Sequence, residues 1–325
     1  MLSAHVRGNP VPVPIAAGDG AVLPAGTVWI DLLTPTREEE LFIERVTGLS
    51  LPTREDMVEI EPSSRLYLEA GAIFLTANLL VGMTAGDPVS AAVSFVLTPA
   101  HLITVRYDQP KVFDLFAAHV ARTPDACSDP VMALVGLLDA IVDRLADSLE
   151  GIGAEMDKIS RSTFRRATPK QQRLTNLALQ VLLGRIAHAQ DAVSKARDSA
   201  VSLARLLSFL GFALKKDSNG SREHLKSLSR DVASLTDHAT YLGSNITFLL
   251  DAALGLINIE QNAIIKIFSV AAVIFMPPTL VASIYGMNFR HMPELEWTLG
   301  YPLAVVLMIM AAVLPYLFFK SRGWL

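Results

Sequence analysis

Asp251, Asn258, Asn262, Ile265, Ser269, Ala272, Met276, Thr279 and Ser283 fall on one stripe about 100° wide when the chain is wound at about 100° per residue. Amides, hydroxyls, a carboxylate and small groups dominate the stripe, while Phe248, Leu256, Ile259 and Ile274 fall elsewhere around the helix. Oxygen-bearing side chains in a line suit a hydrated cation, because each can accept a hydrogen bond from a metal-bound water without displacing it. Small and hydroxyl residues on an apolar helix also serve close helix packing, which is the competing reading of the same stripe. Gly286-Met287-Asn288 follows directly and adds a carboxamide just past the end of the apolar run. Bond-breaking chemistry has no counterpart: no nucleophile pairs with a base, and no glycine loop has the spacing that cradles phosphate. No enzyme and no resident cofactor is expected.

Two apolar runs must position these groups. Residues 267–285 carry no charged side chain over about 19 residues, and residues 297–319 repeat this over about 23, each enough to span a bilayer as a helix. The short stretch 286–296 between them makes a hairpin. Lys266 precedes the first run, and Lys320 and Arg322 follow the second, whereas the connecting loop sets Arg290 against Glu294 and Glu296. Basic residues stay on the cytosolic side, so both termini are expected in the cytosol and the loop outside. There Glu294 and Glu296 either attract cations to an outer mouth or are simply solvated. Tyr285, Trp297, Tyr301, Tyr316 and Trp324 sit where aromatic belts form. Two helices enclose no lumen, so a water-lined path requires several copies in a symmetric ring. Pro277-Pro278 lies inside the first span and must free carbonyls on the preceding turn.

Composition agrees with a membrane protein. Charged residues make up 18% of the 325 residues, below the roughly 25% usual in soluble domains, and the mean hydropathy is +0.38. The net charge of -4 offers no basic stripe, so nucleic acid is excluded as a partner. Cys127 is the one cysteine, which rules out an internal disulfide and argues against a thiolate zinc site. The first ten residues lack the apolar core of a secretory signal.

The soluble part divides by pattern. Thr27–Leu33 reads as a strand, as do residues 65–68, 73–80, 92–97 and 101–107, and Thr36 ahead of Glu38, Glu39 and Glu40 reads as a helix cap. An α/β unit results. After Pro110 the apolar spacing predicts one long helix, with Leu134, Leu137, Leu138, Ile141, Leu145 and Leu149 on one face. A second helical stretch covers about 170–214, and a third begins near Ser221 and continues into the membrane as a rod of roughly 55 residues. The expected organisation is a cytosolic α/β domain with long helices (1–220), the cytosolic part of a pore helix (221–266), a first span (267–285), an external loop (286–296), a second span (297–319) and a basic tail (320–325). The carboxylates at 38–40, 55, 56, 59 and 61 read as solvated helix faces. His188 and Asp191 lie one turn apart but make no metal site by themselves.

Tyr285-Gly286-Met287-Asn288-Phe289, after a span ending Phe275-Met276-Pro277-Pro278-Thr279-Leu280-Val281-Ala282-Ser283, resembles the CorA family of divalent-cation channels, whose signature is Gly-Met-Asn. Met292-Pro293-Glu294-Leu295, Trp297, Gly300-Tyr301-Pro302 and the tail Lys320-Ser321-Arg322-Gly323-Trp324-Leu325 extend the likeness. So do Gly255-Leu256-Ile257-Asn258-Ile259-Glu260-Gln261-Asn262 and, loosely, Trp29-Ile30-Asp31-Leu32. It is closest to the proteobacterial magnesium and cobalt transporters. The resemblance implies a homopentameric, funnel-shaped channel in the plasma (inner) membrane, made of identical subunits in lipid, with magnesium as both the transported and the regulatory ion. It assigns Gly286, Met287 and Asn288 to the selectivity filter, Met276 and Thr279 to the pore wall, Asp251 to its cytosolic end, and Asp231 to a regulatory metal site between subunits. Transport of zinc, cobalt or nickel, and a non-conducting metal sensor, are the alternatives.

Overall fold

The computed structural model describes residues 1–18, 20–59, 61–82, 87–164, 176–214, 221–288 and 292–324. Phe289, Arg290, Leu325, residues 170–175 and the break at 215–220 lie outside them. The chain forms two compact units, one of Met1–Ala167 with Gln180–Leu250, the other of Thr168–Leu179 with Asp251–Leu325.

The first unit is built on a seven-stranded sheet: β1 (Leu2–Val6), β2 (Val13–Ile15), β3 (Thr27–Leu33), β4 (Leu66–Glu69), β5 (Ala72–Val81), β6 (Val89–Leu97) and β7 (Leu102–Arg106), in the order β2-β1-β3-β7-β6-β5-β4. Only β3 and β7 run parallel; the other neighbours are antiparallel. Ala70 and Gly71, both at positive φ, make the two-residue turn that joins β4 to β5. The first helix, α1 (Arg37–Thr47), opens on a capping box: the Glu39 amide donates to Thr36 Oγ1 at 3.3 Å, and the Thr36 amide donates to Glu39 Oε2 at 2.9 Å. Two short helices, α2 (Arg54–Val58) and α3 (Pro62–Arg65), lead into β4. One face of the sheet buries Leu2, Ile30, Leu32, Ile103 and Val105 with Phe42 and Ile43 of α1.

The reading of one long helix after Pro110 needs correction. Residues Lys111–Arg122 form a separate helix, α4, and a tight turn at Pro124–Cys127 precedes the long helix α5, Pro130–Phe164. Pro124 and Pro130 explain the break, since proline lacks an amide to donate and pushes the residue before it out of the helical region. The six leucine and isoleucine positions expected to face inward on α5 are all buried.

The other face of the sheet holds a polar group of side chains under α4. Arg106 donates from Nη2 to Asp31 Oδ2 at 2.7 Å and from Nε to Oδ1 at 3.1 Å, and the Thr104 hydroxyl donates to Asp31 Oδ1 at 2.6 Å. Trp29 Nε1 donates to Thr104 Oγ1 at 3.0 Å, and the Arg106 guanidinium lies 4.4 Å from the Phe113 ring centre. Every polar atom of this buried set has a partner, as burial of charge demands.

His5 stacks on Trp29 with ring centres 4.0 Å apart. Burial pushes its pKa down from 6.5 to about 4, against an opposing pull from Asp31. The folded chain therefore holds His5 neutral, and the unfolded chain binds a proton first as the medium acidifies. The stability this provides is present above pH 6.5 and is lost as pH falls through about 4. His5→Phe keeps a flat ring in place without a titrating group, so its thermal midpoint is expected to fall less between those values than that of the parent chain. Parallel pH profiles would show that His5 contributes nothing to acid sensitivity.

Two further helices complete the soluble part. Helix α6 (Asn176–Ala213) is tied to β5 where the Asn78 amide donates to Ser202 Oγ at 3.0 Å and its side chain donates to Asp198 Oδ2 at 3.0 Å. Helix α7 (Ser221–Tyr285) runs for 65 residues, about 98 Å at 1.5 Å per residue, longer than the rod of roughly 55 residues read from sequence. The last helix, α8 (Gly300–Ser321), begins three residues later than the expected second span, after a tight turn at Pro293–Glu296. Pro302 falls in its first turn, where a missing amide costs nothing.

Candidate cation pathway

Helices α7 and α8 are long and apolar enough to cross a membrane, and only 6% and 0% of their most apolar windows are buried by the rest of the chain. Helices of a soluble core with that composition would be largely covered, so these present their apolar surfaces outward.

The polar stripe on α7 is uncovered along its whole length. Asp251, Asn258, Asn262, Ile265, Ser269, Ala272, Met276, Thr279 and Ser283 are all exposed in the single chain. Val270, by contrast, is buried at 2%, and one turn before it Lys266 meets Trp324 from the end of α8 at 5.1 Å. The stripe lies about a third of a turn around the helix from that Lys266–Val270 side. Asp251 has no ion-pair partner among the described residues.

Helix α7 continues through Pro277 and Pro278, which cannot donate to the carbonyls four residues earlier. Next to them the Thr279 hydroxyl donates to the Met276 carbonyl at 2.8 Å. That commits the hydroxyl proton to the helix itself and leaves the Thr279 oxygen as an acceptor. An acceptor is the required polarity toward a cation's first-shell waters, whose protons point outward.

Gly286 follows the end of α7 with a φ outside the left-handed region. Its amide donates to the Ala282 carbonyl at 2.9 Å, and a Cβ added there would lie 3.1 Å from that same oxygen. Close approach to the last turn, rather than left-handed backbone, makes glycine the fitting residue. The Met287 amide donates to the Ile284 carbonyl at 3.3 Å, so Met287 is held against the helix end. Met287 and Asn288 are exposed there. Glu296 is exposed in the turn before α8, while the Glu294 side chain lies outside the described set.

Asp231 on α7 faces α5. Burial raises the pKa of Asp143, and the carboxylates of Asp139, Asp147 and Asp231 raise it further. These acids are near enough to repel one another, but no group of three or more potential ligands converges on a metal position among the described residues. His224, which has no telling spacing in sequence, comes within 3.3 Å of Asp139 Oδ1 through its Nε2. His188 and Asp191 separate instead: His188 Nδ1 lies 3.5 Å from Asp87, and Asp191 accepts from Lys195 at 2.8 Å. Glu39 is occupied by the α1 cap and the chain's amino terminus, and Glu40 pairs with Arg37 at 3.1 Å.

The family described as CorA-like Mg2+ transporter protein matches residues 24–321. Magnesium transport protein CorA of Salmonella typhimurium (strain LT2) and that of Escherichia coli (strain K12) are each 34% identical over 298 residues, covering 92% of both chains. Among solved structures, the complete CorA magnesium transporter from Methanocaldococcus jannaschii superimposes with a TM-score of 0.76 at 18% identity, over 100% of this chain and 99% of that one. At that identity the superposition speaks for the fold, a soluble α/β part followed by long helices and two apolar C-terminal helices, while the proteobacterial relatives and the family match fix the lineage. This chain belongs to the family of CorA-like Mg2+ transporter proteins.

Proposed function

We propose that identical copies of this chain, five by family resemblance, form a channel in the plasma (inner) membrane that passes magnesium into the cytosol. The observation that carries this reading is the uncovered polar stripe of α7, which runs the length of the apolar segment and leads to Gly286-Met287-Asn288. Copies around a common axis turn that stripe into a water-lined wall, and a ring of Asn288 carboxamides at its outer end accepts hydrogen bonds from the waters of a hexahydrated ion. A carboxylate ring would hold the ion more strongly and release it more slowly. Lys266, Lys320 and Arg322 support cytosolic termini, and Glu296 with Glu294 concentrates cations at the outer mouth.

A divalent ion gains about 4.6 kcal/mol on crossing 100 mV, so the membrane potential alone drives uptake. Cytosolic magnesium bound between subunits, with Asp231 among its ligands, closes the pore. Flux into liposomes holding the purified full-length chain tests the reading. Magnesium entry that stops when magnesium is present on the cytosolic face is the expected result. Binding of magnesium without any flux would make the chain a sensor, and preferential passage of zinc would overturn the choice of ion.

A further inference from the structure

The C-terminal tail is a built structure. Gly323, at φ 68°, ends α8 in the left-handed conformation, its amide donates to the Lys320 carbonyl at 3.2 Å, and the Trp324 amide reaches back to the Phe319 carbonyl at 3.0 Å. This pair of bonds is a Schellman cap, and the apolar contact that accompanies such caps is present as Trp324 stacked on Phe319 with ring centres 5.4 Å apart. The chain reversal also brings the Trp324 ring to within 5.1 Å of Lys266 Nζ on α7. One motif thus gathers Lys266 from one apolar helix with Lys320 and Arg322 from the other.

All three cations lie over aromatic rings: Lys266 over Trp324, Lys320 over Tyr316 at 5.9 Å, and Arg322 over Phe318 at 5.7 Å. None has a carboxylate partner among the described residues. An aromatic face orients a cation without cancelling its charge, so among the described residues these three positive charges remain to be balanced. They stand at the level where an apolar helix meets water, with Trp324 and Tyr316 as interfacial anchors.

We propose that Lys266, Lys320 and Arg322, arranged by the Trp324 cap, form a docking platform for the phosphate headgroups of anionic phospholipids in the cytosolic leaflet. It rests on the orientation proposed above. Lipid is the fitting source of the anion because the cations ring the end of an apolar hairpin, where a headgroup arrives with its acyl chains already in the bilayer. Each basic residue near an anionic surface strengthens retention about fivefold, so three per subunit discriminate strongly against zwitterionic lipid.

The full-length chain in detergent micelles carrying spin-labelled phosphatidylglycerol or phosphatidylcholine tests this. Preferential association with phosphatidylglycerol is expected, falling about fivefold in Lys320→Gln or Arg322→Gln and disappearing in the triple variant with Lys266→Gln. Trp324→Ala should weaken it and Trp324→Phe retain it. Equal association of both lipids with the parent chain overturns the platform, as does a preference unchanged in a triple variant that still assembles. Displacement of the lipid by millimolar inorganic phosphate would reveal a general anion site and also overturn it. Magnesium flux, read after the same purified protein is reconstituted into liposomes, separates the two claims: flux without lipid preference sinks only the platform, and lipid preference without flux sinks only the channel.

Discussion

Replacing Asn288 by alanine is expected to abolish magnesium uptake by a transport-deficient cell while leaving the assembled protein in the membrane. One hydrogen bond donated by a metal-bound water to a carboxamide oxygen is worth only about 0.5–1.5 kcal/mol net. In the proposed ring of five the change is repeated in every subunit, so the losses sum to several kcal/mol, or about two orders of magnitude or more in occupancy of the site. Asn288→Asp separates binding from conduction: a carboxylate ring holds the hydrated ion more tightly and releases it slowly, so cation binding rises while flux falls. Uptake by Asn288→Ala at the parent rate, from a protein present in equal amount, would remove Asn288 from the filter.

The second large effect concerns the soluble unit. Asp31 and Arg106 are both buried and joined by two hydrogen bonds. Arg106→Met fills similar space but strands the Asp31 carboxylate with only the Thr104 hydroxyl, and breaking a buried pair in this way costs about 3–5 kcal/mol. In a domain of this size that lowers the thermal midpoint by roughly 10 °C. The double variant Asp31→Leu, Arg106→Met removes both charges and is expected to recover most of the loss, because the cost lies in the orphaned charge more than in the missing attraction. A single variant as stable as the parent in thermal unfolding would show that the pair is not what holds β3 to β7.

Features set by local spacing were legible in the sequence. Strand β3 begins and ends where Thr27–Leu33 reads as a strand, the Thr36 cap is in place, and the inward face of α5 follows its leucine spacing. The polar stripe could be read because helical periodicity is local; what faces it in an assembly is not. Features set by distant partners were hidden. Strand β1 contains Ser3, Ala4 and His5 and has little strand character of its own; it is ordered by pairing with β3, with Leu2 opposite Leu32. The Asp31–Arg106 pair joins residues 75 positions apart, and neither residue alone announces it. Helix α4 was hidden for another reason: residues 111–122 carry helical spacing that merges with α5 unless Pro124 and Pro130 are given their full weight as breakers. Gly286 shows the same limit at the site, since its close approach to Ala282 depends on the exact end of α7.

Cysteine accessibility along α7 tests the central claim most directly. Cys127 gives a quiet background, being buried, with a thiol whose pKa burial pushes up to about 11. Single cysteines at Ser269, Ala272, Met276, Thr279 and Ser283 in the membrane-embedded full-length chain are expected to react with a charged, water-soluble thiol reagent and to block magnesium flux once modified. A cysteine at Val270 should resist the reagent. Stripe cysteines that stay unreactive in water, or that react without any effect on flux, would contradict the account.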